Sequence, residues 1–243
     1  MVAQVQTPQG WPRGGWPTYI PWSIDRKPGA PDIPDDEFDA GGRLHPKWTV
    51  VEGTLATVDP LSTAATGYDL ASKPGSLLAQ PRNGVGVTRL TQAYTLPDQR
   101  SIVMKMRPAT VLAGDTNAVW GPIISLTTSP GTDYDTSDNN GLYLIGYRSN
   151  GLYSKIHSSG NHYLGVVQLN RSLYLKITRN GLVYTTWMSG DGECWCPVGT
   201  GTAANARTKL WLAMASYSTF TGPVPIQEIE WIREGGLGVR PWG

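Results

Sequence analysis

From Leu173 the chain reads Leu173-Tyr174-Leu175-Lys176-Ile177-Thr178-Arg179, then Asn180-Gly181-Leu182, then Val183-Tyr184-Thr185-Thr186-Trp187-Met188-Ser189. Apolar and polar residues alternate with a period of two through both runs, the pattern of a strand with one buried face. The Asn180-Gly181 pair between them suits a two-residue type I′ hairpin, whose central residues both need positive φ. On that register Ile177 faces Tyr184, Leu175 faces Thr186 and Leu173 faces Met188, a set that reads as core. Tyr174 then faces Trp187 and Lys176 faces Thr185 on the opposite side, which places an aromatic pair, a lysine and hydroxyls on an outer face.

A second Asn-Gly pair, Asn150-Gly151, registers another hairpin that pairs Tyr147 with Ser154 and Ile145 with Ile156. Working outward, strands are expected at Trp48–Val51, Ser76–Ala79, Val87–Leu90, Ser101–Met106, Val119–Leu126, Gly141–Arg148, Tyr153–His157, Leu173–Arg179, Val183–Ser189, Trp195–Val198, Leu210–Ser216 and Ile226–Arg233. Short strands at this spacing make a two-sheet antiparallel sandwich. The 29 Gly, 19 Pro and 10 Trp agree, because turns and aromatic strands use them while helices do not. A length of 243 residues suits one such domain plus an arm.

Residues 1–34 hold Trp11-Pro12, Trp16-Pro17, Pro21-Trp22 and Lys27-Pro28-Gly29 with no helix or strand period. They read as an extended arm stiffened by proline, with Trp11, Trp16 and Trp22 as apolar anchors. Such an arm either folds back over its own domain or fastens the protein to a larger assembly. The domain proper spans 35–234 and a tail 235–243.

With a net charge of +1 and only 16% charged residues, the chain lacks the basic stripe that nucleic acid requires. It contains no apolar run of about 18 residues, so no membrane insertion is expected. Met1 to Gly10 lacks a basic start and an apolar stretch, which predicts a protein made in the cytoplasm without a leader. Cys194 and Cys196 flank Trp195, and two strand residues so placed would bridge only under strain, so two free thiols are expected.

The segment after the first hairpin, Ser189-Gly190-Asp191-Gly192-Glu193-Cys194-Trp195-Cys196-Pro197-Val198-Gly199, resembles the Ser-x-Asp-Gly-x-x-Trp-x-x-x-Gly stretch of the concanavalin A-like lectin/glucanase superfamily, especially its laminin-G-like modules. Leu210–Ala215 resembles the next-to-last strand of these domains and Glu228–Arg233 the final strand that returns beside the first. Asp36-Glu37-Phe38-Asp39 with Trp48 resembles their opening segment. The resemblance implies an all-β jelly roll over about residues 35 to 234. A jelly roll behind such an arm is similar in architecture to virion structural proteins of tailed bacteriophages. That likeness implies a multi-copy or homo-oligomeric virion protein, of fibre, tail or head-decoration type, joined to other virion proteins through its arm.

Two functions follow for such a protein. Its outer face binds host-surface glycan, or it decorates a capsid or tail with no sugar ligand. Sugar binding needs aromatic faces beside hydrogen-bonding groups, which Trp187, Tyr174 and Lys176 supply on the hairpin and Tyr134 with Asp133 in a loop. The same outer aromatics also suit a surface covered by the arm or a neighbouring subunit. The loop 130–141 offers Asp133, Asp135 and Asp138, oxygen ligands of the kind calcium selects, without the spacing of an EF-hand.

A third function, a polysaccharide-cleaving enzyme, stands behind these two, and the expectation is that the protein is not an enzyme. Glycosidases need two carboxylates about 5 to 9 Å apart, and the glucanases of the resembled superfamily draw them from a Glu-x-Asp-x-(x)-Glu strand that this sequence lacks. Glu228-x-Glu230 with Glu234 reads instead as a solvated strand edge. His45, His157 and His162 have no acidic neighbour to orient them for a nucleophile.

Overall fold

The computed structural model describes residues 34–52, 67–80, 86–107, 119–128, 143–148, 151–156, 160–164, 172–216 and 226–237. Among these there is no helix, and the strands are β1 (Thr49–Glu52), β2 (Gly67–Asp69), β3 (Leu77–Gln80), β4 (Gly86–Ala93), β5 (Arg100–Arg107), β6 (Val119–Thr127), β7 (Tyr143–Arg148), β8 (Gly151–Ile156), β9 (Gly160–Leu164), β10 (Leu173–Asn180), β11 (Val183–Ser189), β12 (Cys196–Thr202), β13 (Lys209–Ser216) and β14 (Gln227–Gly236). They make two seven-stranded sheets, ordered β1-β4-β13-β6-β7-β8-β9 and β12-β11-β10-β5-β14-β3-β2, with antiparallel neighbours. This is the two-sheet sandwich that the alternation predicts, consistent with the jelly roll that the resemblance implies.

The core lies between the sheets because each strand sends every second side chain inward. The first sheet contributes Leu90, Ile124, Leu126, Leu210 and Leu212, and the second Ile102, Met104, Met106, Leu175, Ile177 and Ile232, each no more than 1% exposed. Burying one such side chain contributes about 1.5–3 kcal/mol. The long apolar stripes of β5 and β10, which pair directly with each other, therefore fix which face of the second sheet turns inward.

The β10–β11 hairpin forms with a register two residues from the predicted one. Asn180 pairs with Val183 and Ile177 with Thr186, so the loop is Gly181-Leu182 rather than Asn180-Gly181. Gly181 has φ of 62° while Leu182 is not in the positive region, the arrangement of a turn needing glycine only at its first central position. The β7–β8 hairpin is displaced by two in the other direction, with Tyr147 opposite Leu152 and Ile145 opposite Ser154. A two-residue slide is one full period, so the same side chains stay on the same faces. Gly181→Ala should destabilise the domain by about 1 kcal/mol, read from urea unfolding, since a Cβ disfavours positive φ. A change near zero would show that the turn relaxes without cost.

Two strands were not foreseen, β2 and β9. Gly67-Tyr68-Asp69 is too short to display a period, and β9 opens on Gly160-Asn161-His162, which lacks an apolar alternation. β14 sits inside its sheet, between β5 and β3. The opening segment reaches it directly, through paired Asp36 and Ile232 hydrogen bonds of 2.9 Å each.

Candidate functional site

The outer face of the second sheet is built by the residues left over from the core. On β10 these are Tyr174, Lys176 and Thr178, on β11 Thr185 and Trp187, and on β5 Val103 and Lys105 with Arg107 at its end. On β14 a bulge between Ile229 and Trp231 resets the alternation, so that Trp231 and Arg233 flank the inward Ile232. Trp187, Tyr174 and Trp231 are each half-buried, which leaves part of three aromatic surfaces open on one sheet face.

Each aromatic ring is held in place. Trp187 donates its indole N–H to Thr178 Oγ1 at 2.9 Å. Tyr174 and Trp231 meet at 5.9 Å between centroids and a tilt of 59°. Lys105 Nζ lies 5.8 Å from the Tyr174 ring and the Arg233 guanidinium 4.4 Å from the Trp231 ring, both within cation–π range. Gly192 brings the following turn against Tyr174: it has φ of 80°, and a Cβ there would sit 3.1 Å from the tyrosine ring. That turn is tied by Asp191 Oδ1, which accepts from the backbone N–H of Cys194 and Glu193 and from Ser189 Oγ, each at 2.8 Å. Those N–H groups, Cys194 first, hold the Asp191 carboxyl down at about 2.

Lys176 is the exception on this face. It is on the outer side as predicted, but its register partner is Trp187, not Thr185, and it is only 2% exposed. Its ammonium lies 3.8 Å from the Trp195 ring and 5.5 Å from the Trp187 ring. Among the described residues it has neither a carboxylate nor a hydrogen-bond acceptor. Burial pushes it down to about 8, because the two indole faces do not make up for the water that the ammonium has lost. As a ready contact for sugar hydroxyls on an open surface, Lys176 is therefore corrected: indoles wall it in.

Carboxylates gather at one side of the aromatics. Glu230 is paired with Lys105, accepts from Ser172 Oγ at 2.8 Å and has Arg107 Nη2 at 3.9 Å. Glu228 meets Lys73 at 2.5 Å, Ser76 Oγ at 3.0 Å and Arg107 Nη1 at 3.9 Å. Burial acts to raise the Glu230 carboxyl, but Lys105 and Ser172 together with Arg107 outweigh it and hold the group below its usual value. The expected solvated edge is thus corrected as well, since these are ion-paired groups on an interior strand that share one guanidinium. Asp35 moves the other way. Burial raises its carboxyl despite the 2.7 Å hydrogen bond it accepts from the Glu234 backbone N–H.

Of the predicted site residues, the structure brings Tyr174, Lys176 and Trp187 to one face. Asp133, Tyr134, Asp135 and Asp138, and the anchors Trp11, Trp16 and Trp22, lie outside the described residues. Among the described residues no three His, Cys, Asp or Glu side chains converge as metal ligands, and Cys194 and Cys196 are free thiols. Trp195 and Trp231 were missed as members of the face. The bulge hides Trp231 from a period-two reading, and Trp195 joins the site from the turn that precedes β12.

No protein-family model matches the chain, and no curated protein does. Solved structures do. The chain is similar to an endo-1,3-beta-glucanase from Streptomyces sioyaensis, at 15% identity and a TM-score of 0.58, over 84% of this chain and 95% of that one. It is similar to a beta-1,3-glucanase from Mycobacterium marinum, at 15% identity and 0.54, over 85% and 99%. A pseudo beta-1,3-glucanase of Mycobacterium tuberculosis matches at 13% and 0.57, over 85% and 99%. These likenesses overturn the reading of a non-enzymatic bacteriophage virion protein, whether glycan-binding or purely decorative. They span almost the whole of two proteins named as glucanases and of one named a pseudo-glucanase, and nothing in them points to a virion. The chain shares the two-sheet sandwich fold of these glucanase structures.

Proposed function

We propose that the chain is a polysaccharide-cleaving enzyme whose glycan lies along the outer face of the second sheet. The observation that carries this is the row of half-buried rings, Trp187, Tyr174 and Trp231, on a sandwich shared with glucanases. Pyranose rings present apolar faces and polar rims, so a row of indole and phenol surfaces interleaved with charged groups is complementary to both. The rings are oriented in advance by the Thr178 hydrogen bond and by the Tyr174–Trp231 contact, so little rotamer entropy is lost when a chain docks.

Glu228 and Glu230 are the carboxylates that flank these rings. Glu230, held below its usual range, is in the ionised form that a glycosidase needs of its nucleophile or base.

The test is release of reducing ends from β-1,3-glucan and a panel of other polysaccharides by the full chain. Glu230→Gln should lower turnover by at least about 100-fold, the scale of losing one general acid–base or nucleophilic group. Trp187→Ala should raise KM with little effect on the folding transition. Cleavage that survives Glu230→Gln unchanged would move the carboxylates elsewhere, and no cleavage of any polymer by folded protein would overturn the enzyme reading.

A further inference from the structure

Two thiols and a thioether meet at one edge of the second sheet. β12 is the outermost strand there, and its first residue, Cys196, stands directly opposite Met188 of β11. Directly opposed residues of an antiparallel pair put their side chains on one face, with Cα atoms about 4.5–5.5 Å apart. Trp195 turns the other way, to the outer face, where its ring lies 3.8 Å from the Lys176 ammonium. Cys194, in a β-bridge, and Cys196 flank it, so alternation gives both thiols the side that Met188 occupies. Cys194 is exposed and Cys196 and Met188 are half-buried, which leaves the three sulfurs within reach of a solute. Their backbone is held from two directions. The Cys194 N–H donates to Asp191 Oδ1 at 2.8 Å, and Cys196 is tied into the β11 ladder.

We propose that Cys194, Cys196 and Met188 form a binding site for a soft monovalent cation, Cu(I). The inference does not depend on the glycan-cleaving reading. Thiolate and thioether sulfur select Cu(I), which is satisfied by two or three such ligands. Zn(II) takes four, and among the described residues no third His, Cys, Asp or Glu side chain converges on the two thiols. Spacing also favours a bridging ion over a disulfide. Residues two apart on an extended strand are about 6.6 Å from each other, so closing their sulfurs to the roughly 2.05 Å of a disulfide strains the backbone. Two metal–sulfur bonds of about 2.3 Å span up to about 4.6 Å, which the same side chains reach by leaning together. Binding joins one Cu(I) ion to both sulfurs and sends both thiol protons to water, giving a bis-thiolate complex with one net negative charge and no electron transfer. The Met188 thioether adds a third, neutral sulfur.

The full chain, reduced and kept from oxygen, should be titrated with Cu(I) in competition with the chromogenic chelator bicinchoninate. One equivalent should pass to the protein, with no change of mass by sedimentation and no displacement by equimolar Zn(II). Cys194→Ser and Cys196→Ser should each weaken binding at least about 100-fold, the scale of losing one thiolate from a metal site. Met188→Leu keeps the apolar volume and should weaken it about tenfold, since only a neutral ligand is lost. Should a serine variant fail to fold, N-ethylmaleimide on the folded parent caps the thiols instead and should abolish uptake. Equal uptake by the parent and the Cys194→Ser/Cys196→Ser double variant would overturn the proposal. So would copper-driven pairing of chains through the exposed Cys194, or displacement of Cu(I) by equimolar Zn(II). A Met188→Leu affinity equal to the parent's would overturn the three-sulfur set.

Discussion

Arg100→Met is expected to destabilise the sandwich by about 3 kcal/mol, the scale for removing one partner of a buried ion pair. The reason is the position of Glu234. It stands opposite Ile102 across the β14–β5 ladder, on the side that faces the core, and is 1% exposed. Arg100 Nε donates to its Oε1 at 3.2 Å and the Tyr94 hydroxyl to its Oε2 at 2.8 Å. Methionine would keep most of the arginine's packing but remove the positive charge that Arg100 sets beside the carboxylate in a low-dielectric place. For a domain of this size the melting temperature should fall by roughly 6–12 °C, measured by calorimetry alongside urea unfolding. Adding Glu234→Gln to that variant should recover much of the loss, because the uncompensated charge is then gone. A single-variant loss under about 1 kcal/mol would mean that water reaches Glu234 and that the pair is worth no more than a surface one.

The sequence made the faces of the strands legible and left their surroundings hidden. Alternation in Leu173–Ile177 and Tyr184–Met188 places Leu175, Ile177 and Tyr184 in the core and Tyr174, Lys176 and Trp187 outside, and the structure does the same. The predicted pairings were wrong by two residues because Asn-Gly was given both central positions of the turn, whereas Gly181 takes the first and Leu182 the second. Faces survived that error because a slide of two restores the period. What no periodicity can show is which distant side chain covers a strand. Lys176 was read as open because nothing in β10 indicates that Trp195, nineteen positions on by numbering, lies over its ammonium. β14 conceals its chemistry in another way: one bulge turns Glu228-x-Glu230 from an apparent edge into a charge cluster shared with Arg107. The virion reading rests on the arm and on a start without leader-like residues, set beside the lectin-like order of strand motifs, and the non-enzyme reading on a missing carboxylate strand. Of these only the strand motifs bear on the two-sheet frame, and that frame is what the glucanase likenesses share.

Asp36→Ala should cost about 2–4 kcal/mol and loosen the opening segment from the sandwich. One carboxylate there serves two core residues. Its Oδ2 accepts the Trp48 indole N–H at 2.7 Å, with Lys47 Nζ at 3.5 Å, and its Oδ1 accepts the Phe38 backbone N–H at 2.8 Å. Phe38 and Trp48 are 3% and 5% exposed within the core cluster, and Phe38 holds a φ of 52°, a left-handed conformation that a bulky residue adopts at a cost of about 1–2 kcal/mol. The Asp36 hydrogen bond is what fixes that conformation while the ring is delivered inward. Alanine would leave the Trp48 N–H buried without its acceptor and free the Phe38 turn, so both contributions are lost together. Asparagine keeps a carbonyl for one of the two donors and should lose roughly half as much. Urea unfolding of both variants gives the energies, and limited proteolysis with mass spectrometry reads whether cleavage begins near residues 35–40. If Asp36→Ala unfolds like the parent and resists protease equally, the backbone pairing of Asp36 with Ile232 is sufficient by itself, and the carboxylate is not what holds the opening segment to β14.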